Sequence, residues 1–307
     1  MGDIARLKGS PIELDLLRFL EQDVRVLITG ITSIHGWPIY RKLMEILPAE
    51  KILAVAPPKT MEPCAANVHK VCITERGWLE MKMATFRPSH VIHGGGVCDL
   101  DVCEDRPDWA YLMNVGGAKT IREVFSNTCH ITYISSDLVF SGAMPLPGGY
   151  TEGDMPDPVS VVGKTYLAAE AEISRCTNSC IVRVGLPLGD SFNGGKGAVD
   201  WIESRFKRCL PVTMFYDETR SCISCEDLAD KVLVLALTGA EGIFHCGGNT
   251  PMSLFDIGQM VLRSGNYSKD LLTGASRLNE IGGPPRAGDV CLNSFRLERY
   301  IQGTYPG

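Results

Sequence analysis

The sequence predicts an α/β protein built on a doubly wound parallel sheet, with a smaller C-terminal lobe. Three observations carry this. Apolar runs alternate with stretches of helical spacing from residue 24 to about 185. The apolar runs are short and continuous, as strands buried on both faces are. The first of them ends in a glycine turn that opens a helix, the arrangement of a parallel βαβ unit.

The elements follow in order. VRVLITG (24–30) is the first strand and GWPIYRKLMEIL (36–47) the helix after it. KILAVA (51–56) is a second strand, stopped by Pro57 and Pro58. HVIHGGG (90–96), HITYISS (130–136) and CIVRVG (180–185) are further buried strands, with helices predicted over 75–85, 107–127 and 162–175. One domain therefore spans 24–185. Beyond residue 186 the regularity breaks. A Gly-rich stretch feeds a helix in LPLGDSFNGGKGAVDWIESRF, EGIFHCGGN (241–249) reads as a late strand, SLFDIGQMVLR as a helix and IGGPPRAGDVCLN as a loop. This second part, 186–307, is expected to interleave with the first domain and cover the C-terminal edge of its sheet, where ligands bind in such folds. Residues 1–23 are charged and amphipathic and predict an added N-terminal helix.

Bulk properties exclude several classes. The 307 residues are 45% hydrophobic and 21% charged, with a net charge of −6, as in ordinary globular proteins. No basic run stands out, so no nucleic-acid partner is expected. No apolar run approaches the roughly 20 residues that cross a bilayer, and the N-terminus lacks a signal-peptide core, so a cytoplasmic protein without a membrane partner is expected. The 12 cysteines are irregularly spaced and lie mostly in apolar runs, as small buried hydrophobes do. Cys222 and Cys225 form the single C-x-x-C; one such pair cannot complete a four-ligand zinc site, so no metal is expected, and a regulatory thiol pair is the alternative.

ITGITSIHGWP (28–38) carries the phosphate chemistry. Gly30 permits a tight turn and Gly36 a close helix–strand approach, while Ser33 stands where a third glycine would admit a pyrophosphate. The helix N-terminus offers free N–H groups from Ser33, Ile34, His35 and Gly36. Strand 2 ends in AVAPPKT, with no acid for ribose hydroxyls; Lys59 instead suits a 2′-phosphate, favouring NADP over NAD. The alternative is a turn that keeps the fold and holds no cofactor.

Longer motifs resemble one superfamily. PVSVVGKTYLAAE (158–170) resembles the P-x-x-x-Y-G-x-[ST]-K-x-x-x-E helix of extended short-chain dehydrogenases/reductases, with Pro158, Gly163, Thr165 and Glu170 in register. Val162 occupies the catalytic Tyr position and Tyr166 that of its Lys. The segment 90–121 resembles the stretch containing the NVxG motif, with Gly94 and Asn114 in cofactor positions. YISSDLVFSG (133–142) resembles the signature of the dTDP-4-dehydrorhamnose reductase branch, to which the regulatory β subunit of methionine adenosyltransferase is related. DETRSCISCEDLAD and PPRAGDVCLN resemble stretches that read the nucleotide-sugar. The resemblance implies a Rossmann-type sheet with a substrate lobe, Ser136 holding a substrate carbonyl oxygen, Arg220 and Arg286 as phosphate contacts, and a homodimer as one assembly.

The missing pair alters the chemistry that the resemblance implies. Val162 can neither give nor take a proton, and Lys164 faces elsewhere on the helix. Tyr166 lies one turn on; with no Lys beside it, its phenol stays neutral and can donate but not abstract a proton. Asp137, His35 and His93 are further candidate proton carriers. Three functions follow: an atypical NAD(P)-linked enzyme acting on a nucleotide-sugar or similar polar metabolite, using Ser136, Tyr166 and Asp137; a non-redox elimination, isomerisation or cyclisation in the same pocket; or a non-catalytic ligand-binding or regulatory subunit.

Overall fold

The computed structural model describes residues 23–61, 65–144, 147–195, 197–279 and 282–303. The helix expected over 1–23 lies, Asp23 apart, outside the described residues.

In chain order, β1 (Val26–Thr29) leads through the glycine turn into α1 (Gly36–Ile46), then β2 (Ile52–Ala56) and β3 (Val68–Lys70). Next come α2 (Arg76–Thr85), β4 (His90–His93), α3 (Leu100–Asp105), α4 (Pro107–Tyr111), a π-helical turn (Leu112–Gly116) and α5 (Gly117–Phe125). β5 (His130–Ser136), α6 (Val161–Ile173) and β6 (Ser179–Val184) complete the first part. The sheet runs β6-β5-β4-β1-β2-β3, all parallel, so the winding reverses between β1 and β4. Successive residues of β1 supply opposite cores. Val26 and Ile28 pack with Ile39 and Leu43 of α1, while Leu27 packs with Ile121 and Phe125 of α5. This two-sided burial is why the strands read as continuous apolar runs.

After β6 the chain leaves the sheet and returns. β7 (Pro187–Leu188), α7 (Ala198–Lys207), β8 (Val212–Phe215), β9 (Thr219–Ser221) and β10 (Ile223–Ser224) precede α8 (Cys225–Leu237), which packs on the main sheet, and β11 (Gly242–Cys246), which joins that sheet beside β6. β12 (Pro251–Ser253), α9 (Leu254–Ser264) and β13 (Leu272–Ala275) return to the lobe, and α10 (Phe295–Ile301) returns to β11. The lobe has its own core of Ile202, Phe206, Val212, Met214, Ile257 and Val261. Helix α10 and the short β3 lie beyond the elements that the pattern predicts.

The single helix expected over 107–127 is broken. Arg106 takes φ −136°, ψ 61°, Pro107 starts α4, and the π-turn shifts the register before Gly117. Spacing alone cannot reveal a π-turn, which adds one residue to a helix without changing its apolar face grossly.

Two glycines are fixed by close approach. Gly30 has φ +74°, and a Cβ there would lie 2.2 Å from the Gly94 carbonyl oxygen; a Cβ on Gly36 would lie 2.2 Å from the Gly30 oxygen. Backbone atoms cannot yield cheaply. Gly36→Ala is therefore expected to destabilise the protein by about 2 kcal/mol, measured by chemical denaturation; an unchanged unfolding midpoint would contradict this packing.

Candidate functional site

The site forms where the winding reverses, at the C-terminal ends of β1 and β4. Between β1 and α1, the Ser33 N–H donates to the Gly30 oxygen at 2.9 Å, and the Gly36 N–H donates to Ser33 Oγ at 2.9 Å. Ser33 Oγ thus accepts one hydrogen bond and keeps its own proton to offer an anion. The backbone N–H groups of Ile34 and His35 have no partner among the described residues. These orphan donors at the positive end of α1 make a cradle suited to phosphate. Burial, assisted by the Arg220 charge, pushes His35 down to about 4, so its ring is neutral at pH 7 and its contribution here is its backbone N–H. Lys59 is exposed in the turn after β2 and makes no ion pair among the described residues.

The β4 side is rigid. The Gly95 N–H donates to Thr29 Oγ1 at 3.1 Å, and Thr29 Oγ1 lies 2.7 Å from His93 Nδ1. Thr29 Oγ1 thus bridges the Gly95 N–H and the His93 ring, and His93 Nε2 is buried without a partner among the described residues. Burial holds His93 down to about 4, so it is a neutral wedge rather than a proton carrier at pH 7. Asn114 sits within the π-turn. Its Oδ1 accepts from Val97 N at 2.7 Å, and its Nδ2 donates to the Val97 oxygen at 3.0 Å and to Thr165 Oγ1 at 2.8 Å. The side chain thus clamps the loop after β4 to α6.

Helix α6 is capped by Ser160, whose side chain accepts from Gly163 N at 3.2 Å. Val162 is fully buried in the core, and Lys164 points to solvent. Tyr166 is buried with its ring 6.4 Å from that of Tyr133 on β5, and the Tyr133 ring lies 5.5 Å from that of His93. Neither phenol has a hydrogen-bond partner among the described residues. Burial raises both well above the ordinary tyrosine value. Further along α6, Glu170 binds Arg183 at 2.8 Å and accepts from Ser135 at 2.5 Å, a buried pair that fixes the helix to β5 and β6.

At the end of β5, Ser136 Oγ accepts from Leu138 N at 3.2 Å and donates to Asp137 Oδ1 at 3.1 Å. Asp137 is wholly buried and takes both Nε (2.6 Å) and Nη2 of Arg220, from β9. This corrects two expectations. Asp137 is not a free proton carrier, and Arg220 does not present its Nε–Nη2 edge to a phosphate, because a bidentate ion pair closes that edge. Arg286 contacts a second buried acid, with Nη1 at 3.4 Å from Glu218 Oε2, and stacks over Phe215 with its guanidinium carbon 4.6 Å from the ring centroid. Glu218 and Tyr133 are site residues that the sequence reading missed. The D-E-T-R run did place an acid two residues before Arg220, just ahead of the short strand β9. Burial pushes the Cys222 and Cys225 thiols up to about 11, which leaves neither as a thiolate at pH 7. Among the described residues no group of three metal-ligating side chains converges, and no helix is long and apolar enough to cross a membrane.

A seven-stranded parallel sheet whose winding reverses beside a phosphate cradle, carrying a second lobe at that edge, defines an α/β protein of the Rossmann-like short-chain dehydrogenase/reductase type. The chain belongs to the family described as RmlD substrate binding domain, whose model matches residues 24–286. Methionine adenosyltransferase 2 subunit beta of Xenopus laevis is 24% identical over 283 residues, covering 90% of this chain and 82% of that protein. A hypothetical dTDP-4-dehydrorhamnose reductase from Sulfolobus tokodaii superposes with a TM-score of 0.76 at 25% identity, over 90% of this chain and 94% of that one. The dTDP-4-dehydrorhamnose reductase of Bacillus anthracis, solved in complex with NADP, gives 0.73 at 22% identity, over 90% and 91%.

Two measurable outcomes follow. Asp137→Ala leaves a buried guanidinium unpaired and is expected to cost about 3–5 kcal/mol of stability by chemical denaturation; a loss below about 1 kcal/mol would contradict the pairing. His93 titrates near 6.5 unfolded and near 4 folded, so the unfolded chain binds the extra proton between those values. The stability that this histidine contributes is present above pH 6.5 and is lost as pH falls towards 4, by about 3 kcal/mol at the lower limit. His93→Gln should flatten that part of the stability–pH curve; an identical slope in the variant would contradict it.

Proposed function

We propose that this protein binds a nicotinamide dinucleotide, NADP in preference to NAD, and uses it to reduce a carbonyl on a polar, sugar-like metabolite. The cradle carries this reading. Two backbone N–H groups without a partner among the described residues and one hydroxyl proton lie at the start of α1, beside the reversal of the sheet. The exposed Lys59, in a place where no acid stands to take ribose hydroxyls, supports a 2′-phosphate. The NADP-bound relative of the same fold supports the cofactor class.

Bound there, the reduced dinucleotide supplies a hydride. The chain's own residues then handle one proton and one developing charge. Tyr166, neutral at pH 7 and without a hydrogen-bond partner among the described residues, donates its phenolic proton to the alkoxide oxygen. Ser136 turns its hydroxyl from Asp137 to polarise the carbonyl. No lysine stands beside Tyr166 to stabilise the phenolate that this donation leaves, so the phenol is reprotonated from solvent before the next turnover and slow turnover is expected.

A second reading, a regulatory subunit that binds a dinucleotide without turning it over, is supported by the sealed Val162 and by the commitment of the Ser136 hydroxyl to Asp137. The likeness to a methionine adenosyltransferase β subunit supports it too.

Calorimetric titration with NADPH, NADP, NADH and NAD is the first test, with micromolar binding of NADPH expected and no binding by any of the four contradicting the cradle. Tyr166→Phe should then lower NADPH-linked turnover of a carbonyl-sugar panel about 100-fold while leaving NADPH affinity intact. Full activity in that variant would remove Tyr166 from the chemistry; NADPH binding with no turnover by the native protein would favour the regulatory reading.

A further inference from the structure

Two cysteines stand together where the loop after β4 enters α3. Asp99 caps that helix, its side chain accepting from Val102 N at 2.9 Å. Cys98 therefore precedes the cap and Cys103 is the fourth helical residue, the two positions whose side chains pack together across a helix start. The Cys103 sulfur reaches back over this turn and donates to the Val97 oxygen at 3.7 Å, which places it beside the residue that carries the other thiol. Cys98 is exposed, Cys103 is fully buried, and neither is in a disulfide. Val97 is also the residue that Asn114 grips, through both its N–H and its oxygen. The Tyr166 phenol lies within electrostatic reach of both sulfurs, so the pair borders the candidate site.

An exposed sulfur backed by a buried one has the arrangement of an attacking thiol and a resolving thiol. We infer that Cys98 and Cys103 form a reversible thiol–disulfide switch, closed by a small-molecule disulfide such as oxidised glutathione, and that closure loosens the loop after β4 by withdrawing the sulfur donor from the Val97 oxygen. The Cys98 thiolate attacks one sulfur of the small disulfide; that S–S bond breaks, and one glutathione leaves and takes up a proton. The Cys103 sulfur, its proton passed to solvent, then attacks the Cys98 sulfur, and the second glutathione leaves. Two cysteine thiols become one disulfide, and one small disulfide becomes two thiols. The second step is the slow one, because burial, with the Cys98 sulfur and the Asp99 and Glu104 carboxylates, pushes the Cys103 thiol up to about 12. The inference stands whether or not the neighbouring site turns over a substrate.

The test is incubation of the folded full chain with oxidised glutathione, followed by mass mapping without reduction. The peptide carrying both cysteines should become lighter by two hydrogens, and dithiothreitol should reverse this. Cys103→Ala should leave Cys98 as a mixed disulfide with glutathione. Cys98→Ser, a change at an exposed position, should leave Cys103 as a thiol. Hydrogen exchange then reads the loop: the Val97 amide should exchange about tenfold faster in the closed form than in the reduced one. A stable glutathione adduct on Cys98 of the native protein, with Cys103 still a thiol, would overturn the pairing. So would a native protein in which neither cysteine reacts. An unchanged exchange rate at Val97 in a fully closed sample would overturn the coupling to the loop.

Discussion

The buried ion pair between Asp137 and Arg220 is the interaction on which the site depends. Asp137 directly follows β5 of the main sheet, and Arg220 belongs to β9 in the following segment. Their bidentate contact, almost out of water, ties lobe to sheet at the edge where ligands enter such folds. Breaking one partner leaves a buried charge, so the pair is held by what its loss would cost more than by the net stability that it adds. It also decides chemistry: the hydroxyl of Ser136 is oriented by Asp137, and the outward charge of Arg220 is cancelled before any ligand arrives.

Around that pair the protein keeps the phosphate cradle at the start of α1, while Val162 and Tyr166 stand where the resembling superfamily carries its Tyr and Lys. The cradle at α1 retains its orphan donors, and Ser33 compensates for its added Cβ with a hydroxyl proton. Helix α6 is fixed in place from three sides. Ser160 caps it, Glu170 and Arg183 lock it to the sheet, and Asn114 clamps it to the loop after β4. The Tyr position of the resembling superfamily is filled by a core valine, and the Lys position by a buried phenol whose ring lies tilted beside Tyr133, which in turn lies beside His93.

Much of the fold was legible because each central strand is buried on both faces and so reads as an uninterrupted apolar run; VLIT, ILAVA and HITYISS are examples. The glycine turn was legible because Gly30 and Gly36 stand where no Cβ fits. The π-turn at 112–116 was hidden, since one inserted residue leaves the apolar face of a helix nearly intact. β3 was hidden because VHK is short, half-exposed and polar in the middle. At the site, sequence identified the phosphate loop, Ser136, Tyr166 and both arginines as residues to watch. It could not show that Asp137 and Glu218 would meet those arginines, because the two contacts span 83 and 68 residues and depend on how the lobe folds back.

The most direct single measurement is a crystal structure of the protein grown with NADPH. The account predicts the diphosphate on the backbone N–H groups of Ile34 and His35 with the Ser33 hydroxyl, the 2′-phosphate beside Lys59, and the nicotinamide end over Tyr166, with the Asp137–Arg220 pair intact. An empty cradle at saturating NADPH, or a dinucleotide bound with Arg220 drawn away from Asp137 onto its phosphates, would contradict it.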